Sequence, residues 1–188
     1  MLFRSVGPIL AGALAALLWP ALRAGGLATA QRTPALDAAH FASAGAASFA
    51  RGLNDAPKMA ALLMAAPGAD ASVAIVTVAL AMAAGALAGG RRVAETLGKR
   101  VTAMDPGQGF AASLATATLV TTASLHSLPV STTHVAVGSM AGIGSVTRQA
   151  RWPKIGEIAV AWVTTVPCGA LLAAVAWRAI GLGLRAAP

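Results

Sequence analysis

LPVSTTHVAVG, residues 128–138, is the stretch that decides how this chain folds. It sets a proline, three hydroxyl side chains and an imidazole between two apolar runs: GFAASLATATLVTTASLH (109–126) before it, VAVGSMAGIG (135–144) after. Either flank suits lipid or a protein interior. A polar group in such surroundings costs roughly 2–7 kcal/mol when it has no hydrogen-bond partner. The residues that satisfy this run are therefore the ones to look for.

Hydrophobic residues make up 57% of the 188 and charged residues only 11%, with a mean hydropathy of +0.72. A soluble domain carries about 25% charged residues, so the polar surface needed to cover a water-soluble globule is missing. The expected fold class is all-α integral membrane, with the lipid bilayer as surroundings. In hydrocarbon every backbone N–H and C=O must be paired internally, which leaves helices or closed barrels. The long Ala/Leu/Val/Gly blocks do not alternate as barrel strands do. The net charge of +8 would suggest nucleic acid in a soluble protein. Here the basic residues gather in two short loops, Arg91, Arg92, Lys99 and Arg100, then Arg148, Arg151 and Lys154, as cytoplasmic loops do. Nucleic acid is not an expected partner. Cys168, the single cysteine, allows no intrachain disulfide, and three scattered histidines make no zinc pattern, so no metal centre is expected.

Residues 1–39 read as an N-terminal transmembrane segment and loop, with the span over 5–22. A competing reading is a secretory leader, with Arg4, an apolar core and an Ala28-Thr29-Ala30 cleavage site. Residues 40–66 read as a helix interrupted at RGLNDAPK (51–58), and 70–90 as a span. RRVAETLGKRV (91–101) reads as a charged helix at the membrane surface. The segments 107–126 and 135–146 lie between the basic loops, so the chain must leave and return to one side. Two full spans would do this. A re-entrant hairpin with its break at 128–134 fits better, because the second limb holds about 12 apolar residues where a span needs about 20. Residues 155–184 give a last span with Trp152 and Trp177 as interfacial anchors. Gly85, Gly89, Gly138, Gly142 and Gly144 read as close-packing positions between helices.

Two polar breaks thus sit at membrane depth, Gly52–Lys58 and Pro129–His134. Both read as helix starts: Asp55 as an N-cap with Pro57 in the first turn, and Ser131, Thr132 or Thr133 capping the helix that follows. A helix start offers unpaired N–H groups and a positive dipole end, which together favour an anion, and transporters use broken helices in this way. A carboxylate beside an anion requires a cation or proton between them. Asp55 and Asn54 are therefore expected to hold a coupling Na⁺ or H⁺, while Ser131, Thr132, Thr133 and Asn54 hold the anion's oxygens. Lys58 either neutralises Asp55 or the anion, or snorkels to the interface. His134 is a substrate contact or makes a structural hydrogen bond. Asp105 and Gln108 cap a helix, His40 and His126 lie at helix ends, and Glu157 begins the last span. No G-x-S-x-G elbow accompanies Ser131, His134 and Asp55, so a hydrolase triad is not supported and no enzyme activity is expected.

GLNDAPK (52–58), followed about seventy residues later by SLPVSTTHVAVGSMAGIG (127–144) and preceded there by DPGQGFAASLATATLV (105–120), resembles the C-terminal repeat of the inorganic phosphate transporter (PiT) family. The resemblance covers about residues 40–184. It implies a secondary transporter of two inverted repeats, each with a GxND-type motif, moving inorganic phosphate with Na⁺ or H⁺ and using no other cofactor. It places the binding residues on Asn54, Asp55, Ser131, Thr132 and Thr133, in a multi-pass protein of the bacterial inner membrane. Two departures stand out. Many bacterial members have histidine where this chain has Arg51, and no second GxND precedes residue 52. The second departure implies half of an inverted-repeat transporter: a repeat that pairs with a second repeat-bearing chain or its own copy, or the C-terminal part of a longer or split gene product. Sulfate is the rival substrate. A truncated or accessory membrane protein without transport is the rival role.

Overall fold

The computed structural model describes the backbone of residues 2–96, 101, 102 and 104–186. Among these it is all-helical: α1 Leu2–Ala24, α2 Pro34–Met64, α3 Ala71–Thr96, α4 Pro106–Leu125, α5 Thr132–Thr147 and α6 Trp152–Ala186. Three helices are long and apolar enough to cross a membrane, judged by length and composition: α1 over Val6–Ala24, α3 over Ala71–Glu95 and α6 over Trp152–Arg178. The chain divides into two compact units, residues 1–151 and 152–188. The second is α6, whose Lys154 pairs with an exposed Glu157 one turn on.

Local chemistry sets the helix starts. Thr33 caps α2 by accepting the Leu36 N–H at 3.2 Å, with Pro34 at the first helical position, where its missing N–H costs nothing. Asp70 caps α3 by accepting from Ser72 and Val73 at 2.8 and 3.0 Å. Asp105 and Gln108 form a reciprocal capping box on α4. Ser131 caps α5, the one of the three candidate hydroxyls that does so.

The GLNDAPK segment departs from its sequence reading. α2 runs unbroken through it for 31 residues, so Asp55 is no N-cap and Pro57 lies in the helix interior. Pro57 deprives the Leu53 carbonyl of its helical donor, but partners outside the helix satisfy the polar side chains of this turn. Consequently His40 sits in the second turn of α2 rather than at a helix end, and the loop expected over 23–39 shrinks to 25–33. His126 does end a helix, as the C-cap of α4. Residues 91–96 continue α3 instead of starting a surface helix, and 97–100 lie outside the described residues.

α4 and α5 form a helical hairpin, turning over His126–Ser131. At 1.5 Å per residue the limbs are about 30 and 24 Å long. Their far ends meet where Thr102 bridges Ala150 and the Arg151 N–H donates to the Val101 carbonyl at 3.2 Å. α1 lies along α5 and α4, and α2 along α4. The contacts are made by small residues: Ala11, Ala15, Ala50, Ala111, Ala115 and Ala123 are all buried, with Trp19, Val120, Val135 and Ile143 filling between them. Helices approach closely where side chains are small, which favours packing in lipid, where dispersion rather than water exclusion drives association. The five glycines split in two. A Cβ on Gly138 would strike Pro8, one on Gly142 would strike Gly12, and one on Gly144 would lie 2.9 Å from Ala150. Among the described residues nothing lies within 4 Å of a Cβ placed on Gly85 or Gly89, and α3 packs on α2 at Ala60, Ala74 and Val78, with Ala56 and Met82 against them.

Candidate functional site

On α2 the residues Asp37, His40, Ala44, Ser48, Arg51 and Asp55 recur at intervals of three and four, so an unbroken helix aligns them on one face. Beside that stripe, Asn54 is buried, 5% exposed. Its Nδ2 donates to the Val130 carbonyl at 2.8 Å, across 76 residues of sequence, and to Asp55 Oδ1 at 3.1 Å. Lys58, the next turn, donates to the same carbonyl at 3.0 Å, and its ammonium is 3.5 Å from Asp55 Oδ1. The Thr132 hydroxyl donates to Asp55 Oδ2 at 3.1 Å. Three hydrogen bonds therefore join GLNDAPK to the start of α5, and the polar run at 128–134 finds its partners in the C-terminal third of α2.

Asn54, Asp55, Lys58 and Thr132 come together as one cluster. The Thr132 proton is spent on Asp55 in this arrangement, while its backbone N–H stays at the α5 N-terminus. Ser131 Oγ accepts the His134 N–H at 3.4 Å and is also bonded to His134 Nδ1, in a direction set by the imidazole tautomer. That bond ties His134 to the cap of its own helix. Thr133 is exposed and does not line the cleft.

Thr132 also forms part of the wall of a cleft of about 860 Å³ between α2, α3, α4 and α5. The polar wall consists of Arg32, Asp37, His40, Ser48, Arg51, Asp105, Ser113, Thr116 and Thr132, set among alanines and glycines that include Gly85, Gly89 and Gly109. Gly109 lies close under His40: a Cβ would come within 2.7 Å of the imidazole, so a larger residue there would shift that ring. Thr116 Oγ1 lies 2.8 Å from the Ala112 carbonyl and 3.1 Å from Ser139 Oγ, a polar tie between the hairpin limbs. Arg51 is half-buried, one turn before Asp55, and has no ion-pair partner among the described residues. A cation, hydroxyls at several heights and the α5 N-terminus can together hold a small oxyanion. Ser48, Ser113 and Thr116 escape the sequence reading. Ser48 lies three residues before Arg51 on α2 and Ser113 three before Thr116 on α4, but nothing in either spacing shows that the two helices line one cleft. Among the described residues no group of three or more His, Cys, Asp or Glu could hold a metal ion.

Comparison with known proteins points the same way. The model of the phosphate transporter family matches residues 23–173. A Rhizobium meliloti protein named "Probable low-affinity inorganic phosphate transporter" is 37% identical over 153 residues, 76% of this chain and 46% of its own length. A Mycobacterium bovis protein of the same name is 38% identical over 144 residues, 70% of this chain and 34% of its own. "Inorganic phosphate transporter 2-1, chloroplastic" of Arabidopsis thaliana is 38% identical over 143 residues, 68% of this chain and 24% of its own. The chain thus spans less than half the length of these relatives. No solved structure matches it. With the family model covering most of the sequence and the GLND and PVSTTH motifs joined in space, this membrane protein belongs to the phosphate transporter family.

Proposed function

We propose that the chain carries one half of the substrate pathway of a cation-coupled inorganic phosphate transporter in the bacterial inner membrane. The other half would come from a second repeat-bearing chain or a second copy, related by an inverted repeat. The single observation that carries this reading is the joining of GLND to the start of α5, with Thr132 bonded to Asp55 at 3.1 Å on the wall of the cleft. In this reading the anion is held by Thr132, Arg51 and the α5 N–H groups. Asp55 and Asn54 couple it to Na⁺ or H⁺, and the two halves rock around the site to give alternating access. Sulfate, a tetrahedral oxyanion like phosphate, offers the same acceptors and is the competitor to include.

The test is uptake of labelled phosphate into liposomes containing the purified chain, with and without inward Na⁺ or proton gradients. Gradient-driven uptake that unlabelled phosphate suppresses better than sulfate supports the reading, and Asp55→Asn should abolish it while the protein still inserts. Folded protein that neither transports nor binds phosphate would favour an accessory role without transport.

A further inference from the structure

Asp55 and the Val130 carbonyl are oxygen ligands of the kind that hard cations take. Two nitrogens already occupy this pair. Asn54 Nδ2 reaches Val130 O at 2.8 Å and Asp55 Oδ1 at 3.1 Å, and Lys58 Nζ reaches the same two oxygens at 3.0 and 3.5 Å. The spacing favours this: Lys58 follows Asp55 by three residues and Asn54 by four, so its side chain can reach both from the next turn of α2. We propose that Lys58 is a tethered cation for this site, its ammonium filling the position that a free coupling cation would otherwise take between Asp55 and the hairpin tip.

The requirement for a cation between Asp55 and a neighbouring anion is then met by the chain itself. A free cation must displace Lys58, and a group tethered by a short flexible arm competes at an effective concentration of the order of mM or more. The Lys58 side chain is 45% exposed and that of Asp55 24%, so the protein itself does not seal the pair off. Displacing the ammonium also removes one of two donors on the Val130 carbonyl, which couples cation entry to release of the hairpin tip from α2. The inference deepens the transport reading and takes from it only the role of Asp55 as the coupling carboxylate.

Binding of radiolabelled Na⁺ alone tests it, on the purified chain in detergent with choline as background salt and no phosphate present. Little saturable binding is expected for the wild type. Lys58→Met should bind Na⁺ about tenfold more tightly or better, once the tethered competitor is gone, and adding Asp55→Asn to that variant should abolish the gain. Lys58→Gln, which keeps a polar tip, serves as the second variant should the methionine disturb folding. Folded Lys58→Met and Lys58→Gln that bind Na⁺ no better than the wild type would overturn the inference, as would saturable wild-type binding of equal affinity. Since no phosphate is used, failure of the transport reading appears separately, as loss of phosphate binding or uptake.

Discussion

The Val130 carbonyl gives the most direct test of how α2 and the hairpin are held together. Val130 is 6% exposed, and its oxygen receives both Asn54 Nδ2 and Lys58 Nζ. Replacing one donor leaves the other, so each single change removes a hydrogen bond without orphaning a buried acceptor. Asn54→Ala should then cost about 0.5–1.5 kcal/mol for the bond, plus a cavity contribution. Lys58→Met should sit at or below the low end of that range, because the half-exposed lysine competes with water. Changing both leaves the buried carbonyl without either donor, at a further penalty of about 1–3 kcal/mol.

The cavity left by Asn54→Ala appears in both the single and the double variant and cancels, so the cycle reports coupling through the two acceptors these side chains share, the Val130 carbonyl and Asp55 Oδ1. Equilibrium unfolding by SDS in mixed micelles, followed by far-ultraviolet circular dichroism in Na⁺-free buffer, would measure it. The double variant is expected to be less stable than the sum of the singles by at least about 1 kcal/mol. Additivity within about 0.5 kcal/mol would refute the reasoning: the carbonyl would then have another donor, or the two side chains would not share it.

Gly142→Ala, whose Cβ would strike the backbone of Gly12, should destabilise the chain by about 1–3 kcal/mol in the same assay. Gly85→Ala, facing open space, should be neutral or stabilising by up to about 1 kcal/mol through helix propensity. Thr132→Val should weaken phosphate binding measured by calorimetry, whereas the exposed Thr133→Val should leave it unchanged, and equal effects would remove the distinction drawn between them. Arg51→Gln should raise the phosphate dissociation constant about tenfold, the loss of roughly 1.4 kcal/mol expected for one charge-assisted contact. An unchanged affinity would remove Arg51 from the anion path.

Features written in short-range chemistry were legible. The box at Asp105 and Gln108 depends on side chains and backbone groups three residues apart, so spacing alone identifies it, whereas the same rule left Ser131, Thr132 and Thr133 as candidate caps of α5 and the backbone chose Ser131. The lengths of apolar runs identify α1, α3 and α6. What failed was the same kind of reasoning applied to GLNDAPK. Gly, Asn, Asp and Pro favour turns and caps because in isolation their side chains compete for local backbone groups. Here Asn54 and Asp55 find Val130 and Thr132 instead, partners 76 and 77 residues away. With its polar side chains satisfied from outside, the helix has no reason to break. The glycines failed for a related reason. Gly85 and Gly142 look alike in sequence, and only the presence of α1 against α5, and the absence of a neighbour beside that part of α3, separates them.

The helices that carry the chemistry are those that do not read as spans. Within the first compact unit, α1 and α3 qualify by length and hydropathy, and the qualifying stretches are only 22% and 11% buried, leaving apolar faces available to lipid. α2, α4 and α5 do not qualify, yet they supply Asn54, Asp55, Thr116, Thr132 and Ser139. Their polar groups could not face hydrocarbon unpaired. α4 instead buries ten of its twenty residues and α5 seven of sixteen, and every buried side-chain nitrogen or oxygen among the described residues has a partner. Burial in protein replaces exposure to lipid, and this is what lets a hydroxyl-rich helix start pack against α2. Among the described residues the Asp55 carboxylate is held by side chains, Asn54, Lys58 and Thr132, and by no backbone N–H. Side chains exchange partners far more readily than helix backbone does. The contact between α2 and the hairpin tip is therefore where an arriving anion or cation can change the structure without unwinding a helix.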